Sequence, residues 1–171
     1  MRVAGGGEEE LPSQTQEELF LELIPEDARY DDLLGAVAMA EFFITLHPGL
    51  YQGEDPAFFE FLSLPECEFC SSSVAVTRQR LADGIVQVGG DFTVPPQVET
   101  SIMDLETDNT ETALVRFKVV EAPWEFRDAT GAVIKSKGES VFLTTMALRW
   151  VDGAWRVFAV ATRECEGGLC S

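Results

Sequence analysis

Histidine is almost missing from this chain: His47 is the only one among 171 residues. Any Ser/His/Asp or Cys/His nucleophilic machinery would have to run through it. It sits in His47-Pro48-Gly49, which reads as a helix-ending turn because the residue before a proline avoids α geometry. Contact with the last carbonyls of that helix is its expected role. Bases are scarce as well: twelve Lys and Arg face thirty Asp and Glu, for a formal charge of −18. Without a basic footprint the chain is not expected to hold nucleic-acid phosphates or to dock on anionic lipid. No uninterrupted apolar run reaches about 18 residues, so no membrane-spanning segment is expected. A phosphate-cradling loop is also lacking, since Gly5-Gly6-Gly7 precedes acids and Gly89-Gly90 precedes an expected strand. EF-hand spacing does not occur, and Asp104-Leu105-Glu106-Thr107-Asp108-Asn109 reads as a solvated hairpin end rather than a calcium site. No cofactor and no metal are expected.

What the chain has in quantity is apolar bulk. The apolar share is 46%, with twelve Phe, three Trp and two Tyr. That is core enough for one domain of ordinary size to fold without a metal or disulfides. The acid excess is concentrated in residues 1–66, which hold fifteen acids against Arg2 and Arg29. Such a face keeps a protein soluble, or it steers a basic partner.

Three segments follow from composition. Residues 1–14, rich in Gly, Glu, Pro, Ser and Gln, read as a flexible acidic tether. Residues 15–24, with Leu19, Phe20, Leu21, Leu23 and Ile24 before Pro25, read as a short helix or an extended arm. Residues 25–171 read as a single α+β domain. Its first helix is expected from Pro25 to Leu46, with Leu33, Leu34, Val37, Ala38, Phe42 and Leu46 at three-and-four spacing. A second is expected over about Pro56 to Leu62 with Asp55 as N-cap, and a third over about Ser71 to Ala82 with Val74, Thr77 and Leu81 inward. After Gly84 the period changes to two. Strands are expected near 85–94, 98–106, 112–127, 132–150 and 154–164, connected by turns at Asp108-Asn109, Thr130-Gly131 and Asp152-Gly153. The longest of these exceed an ordinary strand, so bends are expected at Pro123 and Gly138.

Helices followed by an antiparallel meander make an α+β fold with the helices on one face of the sheet. A long bent antiparallel sheet wrapped over three N-terminal helices makes a cone. That is the nuclear transport factor 2-like, or ketosteroid-isomerase-like, architecture of the cystatin-like α+β class.

Four stretches carry a closer resemblance: Leu34-Gly35-Ala36-Val37-Ala38, Tyr51-Gln52-Gly53-Glu54-Asp55-Pro56, Leu62-Ser63-Leu64-Pro65-Glu66-Cys67-Glu68-Phe69-Cys70, and Gly89-Gly90-Asp91-Phe92-Thr93-Val94. Over roughly residues 25–164 the chain resembles a family of secreted actinobacterial lipoproteins, a domain of unknown function. The Cys-x-x-Cys is its most specific element. The resemblance implies an extracytoplasmic domain anchored to the cell envelope by a lipid on an upstream cysteine, or secreted. Met1 would then not be the natural start, because no apolar signal core and no lipidated cysteine stand in Met1 to Glu10. The family supplies no catalytic residues to carry over.

The four cysteines form two close pairs, Cys67 with Cys70 and Cys165 with Cys170, and three pairings are open. Two local disulfides in an oxidising compartment are favoured, each stabilising by about 2 kcal/mol. A zinc site of all four, a redox-active Cys-x-x-Cys at a helix start, and free thiols are the weaker readings. Tyr51, Trp124, Phe126 and Trp150 are candidates to line a pocket, against the default of core packing. An enzyme of the cone type would need a carboxylate base, for which Asp104, Glu121 or Glu125 with Tyr51 are the candidates. The favoured reading is a non-catalytic domain that binds a small apolar ligand or a protein. A ketosteroid-isomerase-like or polyketide-cyclase-like enzyme and an acidic binder of a basic partner are the alternatives. Alkylation of the folded chain without reductant is expected to leave its mass unchanged. Label taken up at Cys67 or Cys165 would refute the disulfide reading.

Overall fold

The computed structural model describes residues 14–96, 112–167 and 170, with the backbone alone of 101–104. The expected tether, apart from Gln14, and the expected Asp108-Asn109 turn lie outside the described residues. The first helix, α1 (Gln16–Leu23), opens with Thr15 Oγ1 accepting from the Glu18 amide at 3.2 Å, and places Glu17 and Glu18 in the turn where the dipole favours acids. None of its residues is fully buried. It is held by Phe20, whose ring lies 5.4 Å from Phe58 and 5.2 Å from Phe61.

The helix expected from Pro25 to Leu46 is two elements. A 3₁₀ turn covers Glu26–Arg29, and α2 runs over Leu33–Tyr51. Asp32 restarts the helix: its Oδ1 accepts from the Gly35 amide at 2.7 Å. Gly35 admits the preceding loop, because a Cβ there would collide with the Tyr30 carbonyl oxygen. That carbonyl accepts from Trp155 Nε1 at 2.9 Å and so fastens the loop to the sheet. Pro48 does not end α2. The last turn, His47 to Leu50, is buried, and packing there outweighs the one ladder bond that proline forfeits. The stop comes at Gly53, with φ +93°, beyond the Gln52 C-cap.

The inward face of α2 also differs from the expected one. Ala36, Met39, Ala40, Phe43 and Ile44 are buried, whereas Leu33 and Leu34 are exposed and Val37, Ala38, Phe42 and Leu46 are partly buried. A helix apolar nearly all round gives periodicity no face to choose. By length and a mean hydropathy of 1.5 this 19-residue helix could cross a bilayer, although its apolar run is interrupted by Glu41 and His47. Here it is the core helix, packed against the sheet strands.

Two further helices follow. In α3 (Ala57–Phe61) Asp55 Oδ1 accepts from the Ala57 amide at 2.9 Å. The last helix, α4 (Glu68–Ala82), starts earlier than expected, because Cys67 caps it and bonds Cys70 across its first turn with the Cα atoms 5.3 Å apart. Cys70, Ser73, Val74 and Thr77 face inward; Leu81 is exposed.

The strands are β1 (Val86–Gly89), β2 (Phe92–Thr93), β3 (Ser101–Asp104), β4 (Thr112–Glu121), β5 (Trp124–Arg127), β6 (Val133–Lys137), β7 (Ser140–Val151) and β8 (Ala154–Glu164). All their pairings are antiparallel. A small sheet runs β1-β5-β6, and a large one runs β2-β4-β7-β8 with β3 also on β4. Three long strands pass from one sheet to the other: at Gly89 to Asp91, at Ala122-Pro123, and at Gly138-Glu139. The bends expected at Pro123 and Gly138 are thus two of three aligned breaks. Hydrogen bonds from the Gly90 amide to the Pro123 carbonyl (3.1 Å) and from the Ala122 amide to the Asp91 carbonyl (3.0 Å) carry the ladder through the corner. Gly89 and Gly90 both have positive φ, at +77° and +85°.

The large sheet buries Val115, Phe117 and Val119 of β4 with Met146 and Leu148 of β7 against α2, and Phe43 stacks on Phe59 at 4.5 Å. Asp152 and Gly153, with φ of +50° and +81°, form the two-residue hairpin joining β7 and β8. The chain at 62–64 covers one stretch of the β8 edge through the Leu64 amide to the Val157 carbonyl (2.7 Å) and the Val157 amide to the Leu62 carbonyl (2.8 Å). A Cβ on Gly89 would strike the Pro123 carbonyl, whereas one on Gly131, also at positive φ, meets open space. Gly89→Ala is therefore expected to cost about 3 kcal/mol and Gly131→Ala about 1 kcal/mol. Urea midpoints check this; equal losses would remove the corner from the argument.

Candidate functional site

The corner between the two sheets leaves a concavity beside the end of α2. One wall is the inner face of the small sheet. The register sets Gln87, Phe126 and Lys135 in one cross-strand row and Gly89, Trp124 and Lys137 in the next. Paired residues share a face, and Val88 and Glu125 take the opposite one. The other wall is the end of α2, with His47 and Tyr51, and the last turn of α4, with Arg80. Together these residues, Gly89 and Lys137 apart, line a cleft of about 230 Å³, with Phe92 and Glu121 at its inner end.

Aromatic faces and cations alternate around it. The Arg80 guanidinium lies 4.5 Å from the Phe126 ring centroid and 5.1 Å from that of Tyr51. Lys135 Nζ is 5.8 Å from the Trp124 ring centroid, and Trp124 leans on Phe126 at 4.8 Å. Glu121 is fixed by two donors on one oxygen: Oε1 accepts from Trp124 Nε1 at 2.9 Å and from Ser140 Oγ at 3.0 Å.

Phe92, His47 and Glu121 also border a second, partly open pocket of about 180 Å³, walled further by Ile44, Phe69, Val119, Phe142, Thr144 and Thr162. His47 borders both spaces. Its ring stacks between Phe92, at 5.6 Å and 8°, and Phe69, at 5.1 Å and 27°, and its Nε2 is 3.0 Å from Ser73 Oγ. Burial pushes its pKa down to about 4, so the imidazole is neutral at physiological pH. Its Nδ1 and the Thr144 Oγ1 are buried without a hydrogen-bond partner among the described residues. The expected role, a contact with terminal helix carbonyls, is corrected: His47 is a core imidazole facing a cavity.

Of the residues singled out in the sequence, Tyr51, Trp124 and Phe126 come together in the cleft with Glu121. Trp150 does not. It packs edge-on against Trp155 at 5.7 Å beside the β7–β8 hairpin, at the other end of the large sheet. Glu125 faces away and pairs with Arg127. Asp104 pairs with Ala113 through its backbone, and its side chain lies outside the described residues. Both cysteine pairs are closed, Cys165 to Cys170 with Cα atoms 4.8 Å apart, so no thiolate is left to hold zinc. Arg80, Lys135, Gln87 and Phe92 went unremarked as site residues in the sequence. Only the strand alternation that aligns Lys135 with Phe126 was there to be used.

No family model and no curated protein matches the chain. Among solved structures it is similar to the intermembrane-space region of the chloroplast protein ARC6, with a TM-score of 0.50 at 14% identity, over 75% of this chain and 97% of that one. It is also similar to an uncharacterised protein with a cystatin-like fold from Caulobacter vibrioides, with a TM-score of 0.45 at 11% identity, over 80% and 89% of the two chains. A nuclear transport factor 2-like protein with a cystatin-like fold from Novosphingobium aromaticivorans gives 0.40 at 15% identity, over 75% and 80%. Likeness at these identities concerns the fold alone. The fold is α+β, a bent antiparallel sheet closed over N-terminal helices, as the sequence implies.

The buried imidazole has a measurable consequence. Its folded pKa of about 4 lies below the ordinary 6.5, so between these values the unfolded chain binds the extra proton. The contribution is complete above pH 6.5 and is lost as pH falls toward 4, on the order of 3 kcal/mol in all. His47→Gln should flatten the stability profile in that window, and the single imidazole resonance of the folded protein should titrate near pH 4. A midpoint at the ordinary value would contradict the burial.

Proposed function

We propose that this chain is a non-catalytic binding domain of the cell envelope, holding a small, largely apolar ligand in the cleft at the sheet corner. The observation that carries the reading is the cleft itself: three aromatic side chains, Tyr51, Trp124 and Phe126, converge with Phe92 on one concave space at the open side of the cone. Its volume, smaller than the ~300–1,000 Å³ of drug-sized sites, suits a compact ligand. The second space, which shares His47, Phe92 and Glu121 with the cleft, adds apolar wall beside it. The engagement of Glu121 Oε1 by Trp124 and Ser140 supports a holding role for that carboxylate over a general base.

The two disulfides support an oxidising, extracytoplasmic compartment. Within the same reading, residues 1–14 act as the tether to a lipid anchor upstream.

Naphthalene-2-carboxamide, a compact neutral probe, should bind saturably, shift the resonances of the Trp124 indole and the His47 ring, and quench tryptophan fluorescence. Phe126→Ala should weaken it about tenfold, while Trp150→Phe, remote from the cleft, should leave it unchanged. Absence of saturable binding of both this probe and the corresponding carboxylate to the folded protein would refute the reading.

A further inference from the structure

The cleft holds two cations that form no ion pair with an acid among the described residues. Arg78, Arg127, Lys137 and Arg149 each meet a glutamate, namely Glu60, Glu125, Glu164 and Glu66. Arg80 and Lys135 form no ion pair and donate no side-chain hydrogen bond among the described residues, although acids outnumber bases thirty to twelve. They reach the same space from different elements, α4 and β6. Between them stands Phe126, under the guanidinium of Arg80 and directly across the strand pair from Lys135. Ring faces hold both charges in place but satisfy none of their N–H donors, of which a guanidinium has five.

We infer that the ligand of this cleft is an organic monoanion, a flat apolar body bearing one carboxylate, with the carboxylate taken by Arg80 and Lys135 and the body laid against Trp124 and Phe126. The inference rests on the cleft being a binding site and adds the ligand's chemical class. Arginine presents a donor fork that matches a carboxylate, and lysine adds a point charge. The charge count favours one negative charge over two. Arg80 and Lys135 less Glu121, which lines the same cleft, leave one net positive charge. The protein's overall negative potential opposes anions at long range, but salt screens it beyond about 8 Å, whereas the two cations act at contact. A merely structural role for Arg80 and Lys135, plastered on ring faces, would give the cleft no preference for charge.

The test compares naphthalene-2-carboxylate with naphthalene-2-carboxamide, which share a body and differ in charge, by calorimetry at two salt concentrations. The carboxylate should bind about tenfold tighter, with the difference shrinking at high salt. Lys135→Gln, on an exposed edge strand where folding is not at stake, should remove part of that preference. Arg80→Gln should bring the two probes to within about twofold of each other. Equal affinity of the two probes for the unmodified protein, or a preference that survives both substitutions, overturns the anion inference and leaves the cleft reading standing. Binding of neither probe overturns both.

Discussion

A strand that leaves one sheet plane for another must break its ladder somewhere, and neighbouring strands must break at the same level if pairing is to continue. Three strands do so here, and the corner depends on a single close approach between Gly89-Gly90 and the Pro123 carbonyl. Side chains cannot enter that contact, and proline, which has no N–H to lose, serves it from the other strand. Because the sheets separate there, Trp124 and Phe126 point into a concavity while Val115, Phe117 and Val119, on the continuous strand before the corner, point into the core. The site is a by-product of the bend.

Burial of the last turn of α2 follows from the same geometry. The helix end is driven under the corner, and His47 arrives between two phenylalanines with only Ser73, among the described residues, to satisfy it. An imidazole kept neutral there is rigid, apolar on its faces and polar at its edge, and with Phe92 and Glu121 it borders both the cleft and the second pocket. The tight turn at Gly53 and the bonds from Gln52 Nε2 to the Gly89 carbonyl (3.1 Å) and to Asp91 Oδ1 (2.9 Å) then tie the helix end to the corner that buries it.

Legibility tracked locality. Proline, glycine and the Asp152-Gly153 pair act through their own backbone, so the bends and the last hairpin could be read from single residues. The direction of α2 could not, since its residues are apolar on every side and only the position of the sheet selects Met39 and Phe43 over Leu33 and Leu34. The aromatic candidates divided for a related reason: residue type marks Trp124 and Trp150 alike, but strand pairing sends the one to the cleft and the other to Trp155. Arg80 and Lys135 come from elements 55 positions apart in the chain and gain their meaning only from the ring that separates them. The place of His47 is not legible locally, because Pro48 favours a helix end there and only tertiary burial keeps the turn helical.

The arm α1 leads to one more consequence. It contributes no fully buried residue and leans on the body through Phe20, whereas the loop behind it is bolted by Gly35 and by the bond from Trp155 to the Tyr30 carbonyl. A pull applied at the amino-terminal side would therefore strip a single helical segment first and stop where the core begins, at Ile24 and Ala28, just ahead of that bolt. Under load the arm would act as a mechanical fuse. Its eight residues, about two helical turns, would come free before any load reaches the walls of the cleft.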